Sequence, residues 1–454
     1  MGPGKKATWY ALITLFAINT ANFFDRLILG AVGEPVRKEF GLGDASLGLL
    51  ATAFTLLYAF VGLPLGRLAD IAPRKYILSA GVFFWSLMTA GTGVAQSFWQ
   101  IFAMRLGVGI GEASCAPAAT SLIADLFPSE HRAKAMSIFM LGLPIGIGLS
   151  FAVSGSIAQA YGWRAAFLIA GVPGIVLAVA CLFIREPVRG QLEPGAAAGL
   201  RETRDGKNPV AIARGADLYR RILSSPTMRW LIISGVIHNF CLYTLSSFMT
   251  PYMMRWHGMD IRDASINAML INGVFTLPGL LFGGFVGDAA KSHRAGGGLL
   301  LAAFATLAAV PLLWLAVSAA RTDAITFVAA MGGAFALMYF YYSNVYAAIQ
   351  DVVEPRLRGS AMAVYFFAMY LLGGALGPYL TGLLSDSFTR RAATLAGVSD
   401  TANAALEPFR AVGLHNAMYV IPVLAIALTA VLFAASRSIS AESPAVNLSD
   451  ETAE

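Results

Sequence analysis

The chain has 454 residues, 57% hydrophobic and 13% charged, with a net charge of +6. Soluble domains carry about a quarter charged residues, so this composition excludes an ordinary soluble enzyme and points to lipid as the solvent. The basic residues are scattered through short loops and not gathered on one face, which favours a role in membrane orientation over nucleic-acid binding. Cys115, Cys181 and Cys241 lie in apolar runs without metal-ligand spacing and read as small buried hydrophobes. The first apolar stretch is too long for a cleavable signal peptide and has no small-residue cleavage site.

A membrane-spanning helix needs roughly 20 mostly apolar residues. Twelve such segments are predicted: 8–32, 46–69, 76–95, 98–124, 133–158, 163–184, 229–255, 264–288, 297–318, 324–350, 357–386 and 412–436. The sixth and seventh are separated by a polar, arginine-rich stretch, read as a flexible linker with a short amphipathic helix near 209–223. The expected organisation is a first six-helix bundle over 1–186, a cytoplasmic linker over 187–228 and a second bundle over 229–454. Lys and Arg favour the linker's side 21 to 9, and the linker itself supplies nine. The bias places both termini in the cytoplasm, and the short loops alone support it weakly.

The two halves resemble each other. Pro128-Ser-Glu-His-Arg132-Ala-Lys-Ala-Met136 after the fourth segment matches Pro355-Arg-Leu-Arg358-Gly-Ser-Ala-Met362 after the tenth, at an offset near 226. Leu63-Pro-Leu-Gly66-Arg-Leu-Ala-Asp70 matches Leu281-Phe-Gly-Gly284-Phe-Val-Gly-Asp288. A duplicated six-helix unit implies a binding site near the midplane between the halves and rocking of one half against the other. Glycine runs in the fifth and eleventh segments leave smooth faces for close helix approach. No strand precedes them, so they are not nucleotide loops.

Ionisable residues within membrane helices are costly and rarely face lipid. The first segment carries Asn19, Asn22, Asp25 and Arg26, and the fourth carries Arg105 and Glu112. At about 1.5 Å per residue, Asp25 and Arg105 lie at the same depth and are expected to pair. Glu112, two turns from Arg105, shares its helix face near the midplane. A carboxylate there, beside an arginine, suits a group that takes and releases a proton. The alternative is a static ion-pair network that fixes the first helix against the fourth.

After the second segment, Gly66-Arg67-Leu68-Ala69-Asp70-Ile71-Ala72-Pro73-Arg74-Lys75 resembles the signature of the major facilitator superfamily. It departs from that signature at Ile71 and Pro73. The resemblance implies an all-α fold of 12 transmembrane helices in two pseudo-symmetric six-helix bundles. It also implies a cytoplasmic latch that favours the outward-facing state. Gly66, Asp70, Arg74 and Lys75, with Asp125 and Arg132, are the expected latch residues. Asn22-Phe-Phe-Asp25-Arg26, Arg105-Leu-Gly-Val-Gly-Ile-Gly-Glu112-Ala-Ser114, Phe83-Phe84-Trp85-Ser86 and Ala124-Asp125-Leu126-Phe127 resemble the Spinster family of lipid transporters. That resemblance implies a bacterial inner-membrane protein, monomeric, moving a sphingolipid or lysophospholipid-like anion and driven by the proton gradient without a cofactor. Asp25, Glu112 and Arg105 would then serve proton coupling, and Arg26 and Asn22 would meet the cargo. In the second half Tyr243, Tyr342, Tyr365 and Tyr370 offer an aromatic wall for it, although aromatic runs in such helices are more often packing. A proton-coupled symporter of small organic or sugar acids is the alternative, since such proteins share the Asp-Arg pair. No hydrolase triad, metal cluster or phosphate loop stands out.

Overall fold

The computed structural model describes residues 5–188, 216–294, 296–353, 357–400 and 402–451, with the side chains of Asp70 and of residues beyond 439 among those left undescribed. All regular elements among the described residues are helical. The twelve membrane helices are α1 (Lys5–Glu39), α2 (Asp44–Ile71), α3 (Arg74–Thr92), α4 (Phe98–Leu126), α5 (Lys134–Tyr161), α6 (Trp163–Leu182), α7 (Pro226–Trp256), α8 (Ile261–His293), α9 (Gly297–Ser318), α10 (Ala324–Val352), α11 (Ser360–Leu395) and α12 (Asn403–Ile439). Eleven are long and apolar enough to span a membrane by composition alone. The other, α3, has a lower hydropathy because it opens on Arg74-Lys75 and buries Ser79, Ser86, Thr89 and Thr92. A short helix, Ala216–Ser224, precedes α7. It overlaps the amphipathic helix expected at 209–223, of which 209–215 lie outside the described residues.

Several helices outrun their apolar segments. α1 continues to Glu39, seven residues past the expected end, because the polar residues of its last turns are held by ion pairs described below. Others are interrupted. α4 breaks at Ala113–Ser114, immediately after Glu112. α8 and α11 each contain a π-turn, at Leu270–Val274 and Met369–Ala375. Such turns release the regular ladder locally and are frequent at functional positions.

The chain forms two compact units. One comprises Met1–Leu29 and Ala53–Gly215, the other Gly30–Thr52 and Ala216–Glu454. The end of α1 and the start of α2 therefore pack with the C-terminal helices, although they belong to the first six in sequence. The first unit is built on Leu12, Leu15, Ile18, Phe54, Val82, Trp85, Leu122 and Phe139. The second is built on Met228, Leu231, Leu299, Val345, Ile349, Tyr365, Leu428 and Leu432. Large apolar side chains also cover the outside, among them Val172, Val176 and Val179 on α6 and Phe304, Leu307 and Trp314 on α9. That is the surface lipid requires. Close packing in the first unit depends on glycine. A Cβ at Gly146 of α5 would stand 2.4 Å from the Thr20 carbonyl oxygen of α1. One at Gly109 of α4 would stand 2.7 Å from the Phe54 carbonyl oxygen of α2. The three cysteines are free and fully buried.

Candidate functional site

Asp25, Arg26, Arg105 and Glu112 come together inside the first unit, all at most 8% exposed. The Asp25–Arg105 ion pair anticipated from depth is replaced by a different arrangement. Arg26 pairs with Glu112, its Nη2 and Nε donating to Oε2 at 3.1 and 3.3 Å. Arg105 instead donates Nη1 and Nη2 to the backbone carbonyls of Asp25 and Arg26, both at 3.2 Å. The level match holds, but successive residues of a helix point about 100° apart. The rotation of α1 thus turns Arg26 toward Glu112 and leaves Arg105 to the main chain.

The guanidinium of Arg26 is ringed by aromatic faces, 4.9 Å from Phe23, 5.0 Å from Phe54 and 4.7 Å from Tyr58. The Arg105 guanidinium lies 5.2 Å from the same Phe54 ring. Cation–π attraction strengthens as water is excluded, so these rings hold two cations where hydration cannot. Asn22, one turn before Arg26, accepts from it at 3.5 Å. Neither carboxylate oxygen of Asp25 makes a hydrogen bond among the described residues, nor does Oε1 of Glu112. The Trp85 indole and the Thr89 hydroxyl interact with the Asp25 carboxylate, and the charges of Glu112 and Arg105 act on it. The site thus holds two carboxylates and two guanidiniums, with acceptor capacity to spare.

The expected latch residues divide. Arg74 is fully buried and ties three helix ends together. It ion-pairs with Asp125 at the end of α4, donates to the Ser121 hydroxyl at 2.8 Å, and pairs with Glu186 after α6 at 2.8 Å. Glu186, which no sequence motif singles out, also accepts the backbone N–H groups of Arg74 and Lys75 at 3.2 and 3.0 Å. It caps the N-terminus of α3, where a carboxylate is favoured by the helix dipole. The Lys75 ammonium donates to the Leu182 carbonyl at 3.3 Å. Arg132 donates to the Ala124 carbonyl at 2.8 Å. Gly66 is half-buried, and the side chain of Asp70 lies outside the described residues.

In the second unit the aromatic wall is continuous. Tyr342 meets Tyr346 at a tilt, Tyr346 meets Tyr365 and Phe366 edge-on, and Tyr370 packs on Phe366 and Tyr243. Tyr365 is fully buried, and its hydroxyl joins Tyr341 at 2.9 Å, which joins Ser234 at 2.7 Å. His238 stacks on Tyr341 with ring centroids 3.9 Å apart.

A second charged cluster went unforeseen. Arg255, at the end of α7, pairs with Glu34 and with Asp44, the latter at 2.8 Å. Arg37 bridges Glu34 and Glu407. Asp386 accepts the backbone N–H groups of Asp44 and Ala45 at 2.9 and 3.0 Å and pairs with Arg410 at 3.0 Å. Glu34, Arg37, Asp44 and Arg410 are at most 1% exposed. Each lies at a helix end, where hydropathy reads charge as loop.

The Major Facilitator Superfamily model matches residues 14–378. The chain is 30% identical to protein spinster homolog 1 of Homo sapiens over 423 residues, covering 86% of this chain and 75% of that protein. This chain belongs to the major facilitator superfamily as a Spinster-like member. It is 26% identical over 394 residues to the probable L-galactonate transporter of Escherichia coli, covering 84% of each. A solved bacterial homologue of the human lysosomal transporter Spinster, in an inward-facing and unoccupied conformation, matches with a TM-score of 0.84 and 28% identity over 96% of this chain and 98% of that one. The protein is therefore a multi-pass membrane transporter and not an enzyme.

Proposed function

We propose that this Spinster-like protein is a proton-coupled transporter of an amphipathic lipid anion, working by alternating access as a monomer in the bacterial inner membrane. The observation that carries the reading is the buried Arg26–Glu112 pair beside the buried carboxylate of Asp25. A proton on Glu112 removes the charge that holds Arg26. The freed guanidinium then meets the anionic head of the cargo, and Asn22 adds a polar contact one turn away. Arg105, anchored on the main chain of α1, keeps that helix in register while the carboxylates change charge. The tyrosines of the second unit form an aromatic wall of the kind a hydrocarbon chain packs on, and the proton gradient supplies the energy without a cofactor. The latch around Arg74 would hold the cytoplasmic ends of α3, α4 and α6 together through the cycle.

The relative named as an L-galactonate transporter favours a second reading, in which the cargo is a small sugar acid held by the same arginine. Uptake into proteoliposomes with and without an imposed pH gradient separates the two. Lysophospholipid, sphingoid phosphate and L-galactonate are compared as cargo. The lipid reading expects gradient-driven accumulation of a lipid, lost in Glu112→Gln and Asp25→Asn while exchange without a gradient persists. Accumulation of L-galactonate alone would overturn it. Equal flux in the variants would overturn proton coupling.

A further inference from the structure

The two units close their fourth and tenth helices alike. Arg132 donates to the Ala124 carbonyl at 2.8 Å, and Arg358 donates to the Gln350 carbonyl at 2.8 Å. Donor and acceptor are each displaced by the offset of 226 already seen in the sequence. The same offset carries Asp125 onto Asp351. The surroundings of these two aspartates differ. Asp125 is held by Arg74, the first residue of α3, whose side chain is 1% exposed. The equivalent helix α9 opens on Gly297 and Gly298, which have no side chain to offer. Where the first unit places a buried guanidinium, the second has only the exposed Lys291 among the described residues, beside a cavity of about 370 Å³.

The lining explains what that cavity can hold. Asp288, Asp351, Ser343 and Asn344 present acceptors, and Lys291 presents the one ammonium. Lys291 reaches Asp351 at 2.5 Å, but the two side chains are 49% and 40% exposed, so their pair is a loose surface contact. Asn344 is 6% exposed and spends its amide N–H groups on the carbonyls of Gly283 and Phe340, at 3.0 and 2.8 Å. Its carbonyl oxygen points between two glycines of the lining, since a Cβ on Gly287 or Gly298 would stand 2.1 or 2.7 Å from it. The Ser343 hydroxyl is buried with no partner among the described residues. Among the described residues of the lining two carboxylates accompany one ammonium, so negative charge and acceptors are in excess there.

We infer that this cavity is a binding site for an organic cation bearing a primary ammonium or guanidinium group, which takes the place Arg74 fills in the first unit. Cavities of roughly 300 Å³ and above hold small ligands. Leu299, Val352 and Ile439 add an apolar side for the carbon skeleton. The site lies where α8, α9, α10 and α12 end, at interfacial depth. The cation therefore has two sources of one chemistry, a free amine or the aminoethyl head of a lipid.

The test is thermal melting of the purified protein, titrated at constant ionic strength with ethylammonium, methylguanidinium or tetramethylammonium chloride. The first two raise the midpoint saturably, as a ligand of the folded state must. Tetramethylammonium, which has no N–H to donate, does not. Asp351→Asn weakens the apparent affinity by about tenfold, the worth of one charge-assisted hydrogen bond. Lys291→Ala, which removes the competing ammonium, tightens it. Ser343→Ala weakens it several-fold, and both of these mild variants decide the matter should Asp351→Asn fail to fold. Equal shifts with all three cations, or no tightening in Lys291→Ala, would overturn the assignment. Repeating the titration in nanodiscs distinguishes the sources. Ethylammonium binding weaker in phosphatidylethanolamine than in phosphatidylcholine marks the lipid head as occupant, and equal binding marks a free amine.

Discussion

Arg26 is held by one carboxylate and three aromatic rings, with almost no water. A buried ion pair adds little net stability when intact, but removing one partner strands the other charge, at about 3–5 kcal/mol. Arg26→Gln is therefore expected to lower unfolding stability by about that amount. Adding Glu112→Gln should restore most of the loss, a coupling that a double-mutant cycle by thermal or denaturant unfolding would measure. If the two losses simply add, the pair is not the interaction that matters. The residues of this site were legible as costly charges at matched depth. Their pairing was not, because depth follows from rise per residue whereas azimuth depends on how α1 rotates against α4. Asp25 and Arg26 are neighbours in sequence, and only one of them can face Glu112.

Among elements, the α1–α2 hairpin carries the least expected behaviour. Glu34, Arg37 and Asp44 bind it to α7, α11 and α12 through Arg255, Asp386, Glu407 and Arg410. If alternating access carries this hairpin away from α7, α11 and α12 with the rest of the first six helices, the cluster breaks at each such opening. Arg255→Gln leaves Asp44 without its ion-pair partner and Glu34 to Arg37 alone, and should favour that opening. A cysteine introduced at the buried Leu47 would then react with a charged maleimide about tenfold faster, the effect of a shift of about 1.4 kcal/mol. Arg255→Lys should fall between, since lysine keeps the charge without the two-pronged fork. An unchanged labelling rate in Arg255→Gln would remove the gating role. Within α4, Gly109→Ala places a methyl 2.7 Å from the Phe54 carbonyl. It should lower the melting midpoint through a loss of about 1–3 kcal/mol, as overpacking does. Segment number and order were readable because each span is a long apolar run. The charged hairpin was not, since Arg37, Arg255 and Arg410 look like topological signals until their partners are known.

Across the whole molecule, the duplication is visible down to single hydrogen bonds. Arg132→Ala and Arg358→Ala each remove one side-chain-to-carbonyl contact, expected to contribute about 1 kcal/mol. Because the two lie in separate units, their effects on unfolding should add. A double variant markedly less stable than the sum would mean that the two sites are energetically coupled. The sequence match at residues 128–136 and 355–362 was enough to anticipate the repeat. It could not anticipate that the second copy lacks the arginine at the start of α9, because glycine there reads as packing.

The burial of Cys115, Cys181 and Cys241 has a practical consequence. Thiol reagents need an accessible thiolate, and all three native thiols sit at most 2% exposed. Spin labels or fluorophores can therefore be attached at chosen single positions without first stripping the native cysteines. Pairs placed at Tyr161 and Ile325, both open to solvent or lipid, would report distance changes during turnover in otherwise wild-type protein.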